Sequence, residues 1–185
     1  MSSASVRRAF PAPKDDRFFE DYEPGAVYEF GSVKVTEEEI LEFARRFDPQ
    51  IFHTDPEAAA NGPYGGLIAS GWHTSALFMR LYAEHFLSDV SSLGSPGVDQ
   101  LRWRQPVRPG DTLRLRVEIL EARTSKSKPD RGIARIRSEV LNQDDEVVMD
   151  VTAANLLLRR HPGAPTSEEA PTSEEAPTPE ETPDA

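Results

Sequence analysis

The chain of 185 residues contains no cysteine. It can therefore hold no disulfide, no thiol nucleophile and no cysteine-ligated zinc or iron–sulfur site. Long apolar runs are missing as well: nothing approaches the ~18 apolar residues of a membrane span. The opening MSSASVRRAFPAPKDDR has no apolar stretch of the kind a secretory signal needs. A cytoplasmic protein that does not attach to membranes is expected. Neither Gly-x-Gly-x-x-Gly nor a P-loop occurs, which argues against a nicotinamide, flavin or ATP enzyme. Histidine is scarce, and His53, His73, His85 and His161 fall in separate segments, so no metal site is expected. Basic charge is also in deficit, with 21 Lys and Arg against 32 Asp and Glu and a net charge of −11. Seven of those acidic residues, and no basic ones, lie in 163–185, which leaves −4 on the rest. Nothing in that balance attracts nucleic acid phosphates or anionic lipid.

What is present divides the chain in three. Residues 162–185 carry the repeat APTSEE-APTSEE-APTPEE, whose Pro, Thr and Glu cannot bury enough apolar surface to offset ordering, so a disordered acidic tail is expected. Residues 1–16 read as a flexible, Pro-containing arm, and 17–161 as one folded domain. Within that domain Pro24-Gly25 precedes a strand over Val27–Val35, and Thr36 with Glu39 forms a capping box that opens a helix over Glu37–Phe47. Asp55-Pro56 starts one short helical turn over Glu57–Ala60. From Ser70 to Leu87 the residues are apolar on most sides, with His73, Arg80 and Glu84 on one narrow polar stripe, which predicts a mostly buried helix. After Gly97 the period falls to two: Leu101 and Trp103, then Leu113 to Ile119, Ile133 to Leu141 and Val147 to Leu158 alternate as antiparallel strands. Pro109-Gly110 suits a type II turn, and residues 142–145 close the last hairpin. One hydrophobic helix with one large antiparallel sheet predicts an α+β fold.

Two features could carry chemistry. Asp48 and His53 lie five residues apart in the irregular stretch RFDPQIFHTDPEAA, where Pro49 and Pro56 disfavour a continuous helix. A carboxylate beside an imidazole can hold and deprotonate water near neutral pH; equally, Asp48 can be a cap and His53 a hydrogen-bonded loop residue. The second feature is YGGLIASG leading into the buried helix, which leaves free backbone N–H groups near Gly71 at the positive end of the helix dipole. Such groups suit an oxygen that carries negative charge; glycines there can also serve only to let the helix pack closely.

Three segments in order, FDPQIFHTD, PYGGLIASGWHTSALFMRL and RWRQPVRPGDTL, resemble the MaoC-like dehydratases, which include the (R)-specific enoyl-CoA hydratases, over Phe18 to Leu158. The resemblance implies a single hot dog domain, a long antiparallel sheet wrapped around a central helix. It implies Asp48 and His53 as the catalytic pair and the Gly71 backbone amide as the group that polarises the thioester carbonyl. Gln50 stands where the family has Asn, and Ser70 where a His is common; both are placed as substrate-positioning residues. It further implies an acyl-CoA or acyl-carrier thioester substrate, no cofactor beyond the CoA of that substrate, and a homodimer or higher homo-oligomer. Two rivals remain: a hot dog thioesterase, which needs a carboxylate on the central helix where only Glu84 is available, and a non-catalytic acyl-thioester binding module. Arg102, Arg104, Lys126, Lys128 and Arg131 are candidate phosphate contacts or simply solvated charges.

Overall fold

The computed structural model describes residue 6 and residues 9–162, so the acidic tail expected at 162–185 lies almost wholly outside the described residues. Five strands form one antiparallel sheet: β1 (Val27–Lys34), β2 (Val98–Trp103), β3 (Thr112–Thr124), β4 (Arg131–Leu141) and β5 (Val147–Leu158), in the order β1-β3-β4-β5-β2. Alternation decides which face is covered. Leu113, Leu115, Val117 and Ile119 of β3 are fully buried, while Arg114, Arg116 and Glu118 between them face outward. That outer face is an ion-pair row set by register: Glu29 of β1, Arg116 of β3 and Glu139 of β4 are neighbours across the ladder, and Arg116 bonds both carboxylates, Glu29 at 2.7 Å and Glu139 at 3.5 Å.

The helices are α1 (Glu37–Phe47), α2 (Ile51–Thr54), α3 (Pro56–Ala60) and α4 (Gly71–His85). The α1 capping box is present, with the Glu39 N–H donating to Thr36 Oγ1 at 3.2 Å and the Thr36 N–H donating to Glu39 Oε2 at 3.3 Å. At Pro109-Gly110 the Asp111 N–H donates to the Arg108 carbonyl and Gly110 has φ +94°, the type II geometry. The long helix α4 packs its Leu77, Leu81 and Tyr82 against the inner face of the sheet, forming the core with Leu115, Ile119, Ile136 and Leu157 among others.

Three expectations change. The helix expected over Ser70–Leu87 is shorter, since Ser70 is its N-cap and Phe86 its C-cap. The polar stripe splits: Arg80 and Glu84 pair in solvent at 3.0 Å, whereas His73 is buried and stacks on Phe43 of α1 with ring centroids 4.9 Å apart. A flat ring from another element covers the imidazole there, and burial lowers its pKa against a smaller opposing pull from Glu39. The exposed stripe of α4 is Trp72, Ala76, Met79, Arg80 and Glu84. Finally, residues 9–16, part of the stretch 1–16 expected as a flexible arm, lie against the body. Phe10 stacks on Tyr28 at 4.9 Å, and the Asp89 N–H donates to the Lys14 carbonyl.

Candidate active site

Asp48 is the C-cap of α1, and His53 stands on the one-turn helix α2 rather than in an irregular loop. Pro49 ends α1 by its effect on the preceding residue, and the chain restarts at Ile51, so the two side chains meet across a break. The His53 Nδ1 lies 2.8 Å from the Ile68 carbonyl. A carbonyl can only accept, so this nitrogen carries the proton and donates. The other nitrogen, Nε2, is 3.4 Å from Asp48 Oδ2. In the neutral imidazole Nε2 is then a lone pair facing a carboxylate oxygen, two acceptors side by side. Such a pair calls for a proton donor: a water with an O–H for each, or a proton on Nε2 itself.

The segment that supplies the Ile68 carbonyl is itself pinned. Its Ile68 N–H donates to the Phe52 carbonyl at 3.2 Å and the Ala69 N–H to the Val107 carbonyl at 2.8 Å. The buried Ser70 follows, its hydroxyl donating to Asp48 Oδ2 at 2.6 Å and accepting from the Trp72 N–H at 3.2 Å. Gln50 Nε2 donates to the other Asp48 oxygen at 2.8 Å. The Ser70 hydroxyl, against a smaller opposing effect of burial and with help from Gln50 and His53, holds the Asp48 carboxyl below the usual carboxylate range. Both residues placed above as substrate-positioning thus bond the carboxylate.

Gly71 opens α4, and its N–H has no hydrogen-bond partner among the described residues. The space left by its missing side chain is taken from within the chain: an added Cβ would lie 2.5 Å from Trp103 Cε2. The glycine therefore admits the indole of β2. Asp48, His53, Ser70, Gly71 and Trp103 all line one cavity of about 480 Å³, which Arg104 also reaches. Arg104 is bonded to Asp150, while Arg102, Lys126, Lys128 and Arg131 do not line the cavity. His73 and His85 lie away from it, His85 stacking on Phe30. Sequence reasoning missed Trp103 and the Ile68 carbonyl. A backbone carbonyl leaves no mark in sequence, and Trp103 read only as an alternating strand residue.

A protein-family model for the MaoC like domain matches residues 20–140. The chain belongs to the MaoC-like dehydratase family. Its sheet around α4 is that family's hot dog fold. Among solved structures, a MaoC-like dehydratase from Rhodospirillum rubrum is 41% identical with a TM-score of 0.73, covering 78% of this chain and 99% of its own. A 3-hydroxybutyryl-CoA dehydratase of Methylorubrum extorquens is 30% identical over 138 residues, 72% of this chain and 79% of the relative. A protein of Bacillus subtilis, YdeM, uncharacterised in function, is 29% identical over 140 residues, 76% of this chain and 98% of the relative. The Methylorubrum relative is, by its name, a dehydratase of a CoA thioester.

Proposed function

We propose that this protein is a hydratase/dehydratase that interconverts a trans-2-enoyl thioester and the (3R)-3-hydroxyacyl thioester, on CoA or an acyl carrier, in the cytoplasm. The observation that carries this reading is the pairing of Asp48 Oδ2 with His53 Nε2, 3.4 Å apart, in one cavity with the unpartnered Gly71 N–H. In the hydration direction the pair holds one water. Its proton passes to the pair as its oxygen bonds to C3, and the C2–C3 π electrons move toward the thioester carbonyl. The Gly71 N–H stabilises the oxygen that takes the charge, an interaction strongest in the transition state. The enolate then collapses and C2 takes a proton back from the pair. Every atom of water ends in the product, and no redox step occurs.

The thioesterase alternative has less support: Glu84, the one carboxylate on α4, lies in solvent near the far end of the helix, bonded to Arg80. Incubation with crotonyl-CoA separates the readings. Loss of the enoyl absorbance with no thiol released is expected. Release of free thiol would mark a thioesterase, and no change in either signal a binding module.

A further inference from the structure

We infer that Ser70 is a positioning residue whose hydroxyl locks the Asp48 carboxylate to the first turn of α4, setting the water-holding group at a fixed place relative to the Gly71 amide. Ser70 is 1% exposed, so its hydroxyl cannot spend its bonds on solvent. It has a single proton to donate, and that proton goes to Asp48 Oδ2 at 2.6 Å. A lone pair of the same oxygen accepts the Trp72 N–H at 3.2 Å, and the Ser70 carbonyl accepts the Thr74 N–H at 3.0 Å, so the residue is built into the start of α4 by both backbone and side chain. Gly71, the next residue, supplies the free N–H.

One side chain therefore joins two parts of the site that come from elements 22 residues apart, the end of α1 and the start of α4. Without it the carboxylate keeps His53 Nε2 at 3.4 Å and, as its side-chain hydrogen-bond donor among the described residues, Gln50, which is exposed and grips the other oxygen. Two consequences follow. Because its proton is committed to Asp48, Ser70 acts through the carboxylate and not on substrate. And because Asp48 accepts a donor on each oxygen, it is held as an anion, which leaves His53 Nε2 as the group that takes and returns the proton. The second consequence rests on the hydratase reading; the first does not.

The test uses the full chain labelled with ¹³C at aspartate carboxyls, the Asp48 signal being assigned by its loss in D48N. Ser70→Gly removes the hydroxyl while keeping a residue tolerated at a helix N-cap, and Ser70→Thr restores a hydroxyl. In S70G the Asp48 titration midpoint should move to higher pH, and in S70T it should return toward the parent value. With crotonyl-CoA, S70G should lower kcat about tenfold with KM within about twofold, the signature of lost orientation rather than lost binding. A midpoint that stays in place in S70G, or an S70T that titrates like S70G, overturns the inference. The titration reads the Ser70–Asp48 link even if the parent protein hydrates no thioester, so failure of the functional reading is distinguishable from failure of this one.

Discussion

On the proposed mechanism neither Asp48 nor His53 works alone, because a water held between them would need two acceptors to be both oriented and deprotonated. Asp48→Asn and His53→Ala should each lower kcat by about 10²-fold or more with the fold kept, the range for losing a general acid or base. The double variant should lose far less than the product of the single losses, since the groups act as a unit. Near-parental turnover in both single variants, measured by enoyl absorbance, would remove the mechanism. The Asp48 carboxyl also links the site to pH. Its pKa is lowered in the folded protein, first by Ser70. Its contribution to stability is therefore complete above the ordinary carboxylate range and fades as pH falls through the lowered value.

Among the elements, α4 meets the most constraints, because one helix supplies the core face, the free N-terminal amide and the seat for Trp103. The close approach at Gly71 makes this testable. Gly71→Ala places a methyl 2.5 Å from the indole, closer than any packed carbon, so the ring of β2 must shift. The variant should lose about 1–3 kcal/mol in urea unfolding, the range for overpacking. Trp103→Ala in the same chain should return part of that loss. Equal stability of parent and G71A would mean that the indole gives way freely and holds nothing in place.

Across the whole molecule, the sheet ends on an edge strand, β2, that is unpaired on its outer side among the described residues. β2 pairs with β5 on one side only, and Val98 and Trp103 on it are 56% and 45% exposed. Trp72 of α4, 61% exposed, packs edge-on against Trp103 with centroids 5.2 Å apart, and Met79 continues the patch along the helix. An open strand edge beside two exposed indoles is a surface that soluble chains cover. A second copy related by a two-fold axis is the commonest cover. Light scattering should give about twice the 20.6 kDa chain mass, and dilution to monomer should abolish activity with the dimer. A monomeric mass in a fully active sample would overturn this. Within this patch the exposed apolar side chains are those of α4 and β2, while Val148 of β5 is buried within the chain itself.

The ends of α1, the strand alternation of β3 and the turn at Gly110 were legible in the sequence because each depends on neighbours within a few residues: a capping pair, a period of two, a residue free to take positive φ. The Asp48 and His53 candidates were legible for a similar reason, as five residues of spacing with Pro49 between them and Pro56 beyond. By itself the spacing left a cap and a loop histidine open as alternatives; the resemblance marked a catalytic pair. Tertiary structure alone decided the rest. His73 shares a helical stripe with Arg80 and Glu84, yet Phe43 covers it and not them. Gly71 reads as a free amide or as a close-packing glycine, and only the fold shows that Trp103, 32 residues further on, takes the space beside it. Ser70 and Gln50 read as substrate-positioning residues, and only the fold shows that both bond Asp48. Local rules fix which way a side chain leaves its own element; what it meets depends on the segments that the fold brings opposite, and these lie tens of residues away.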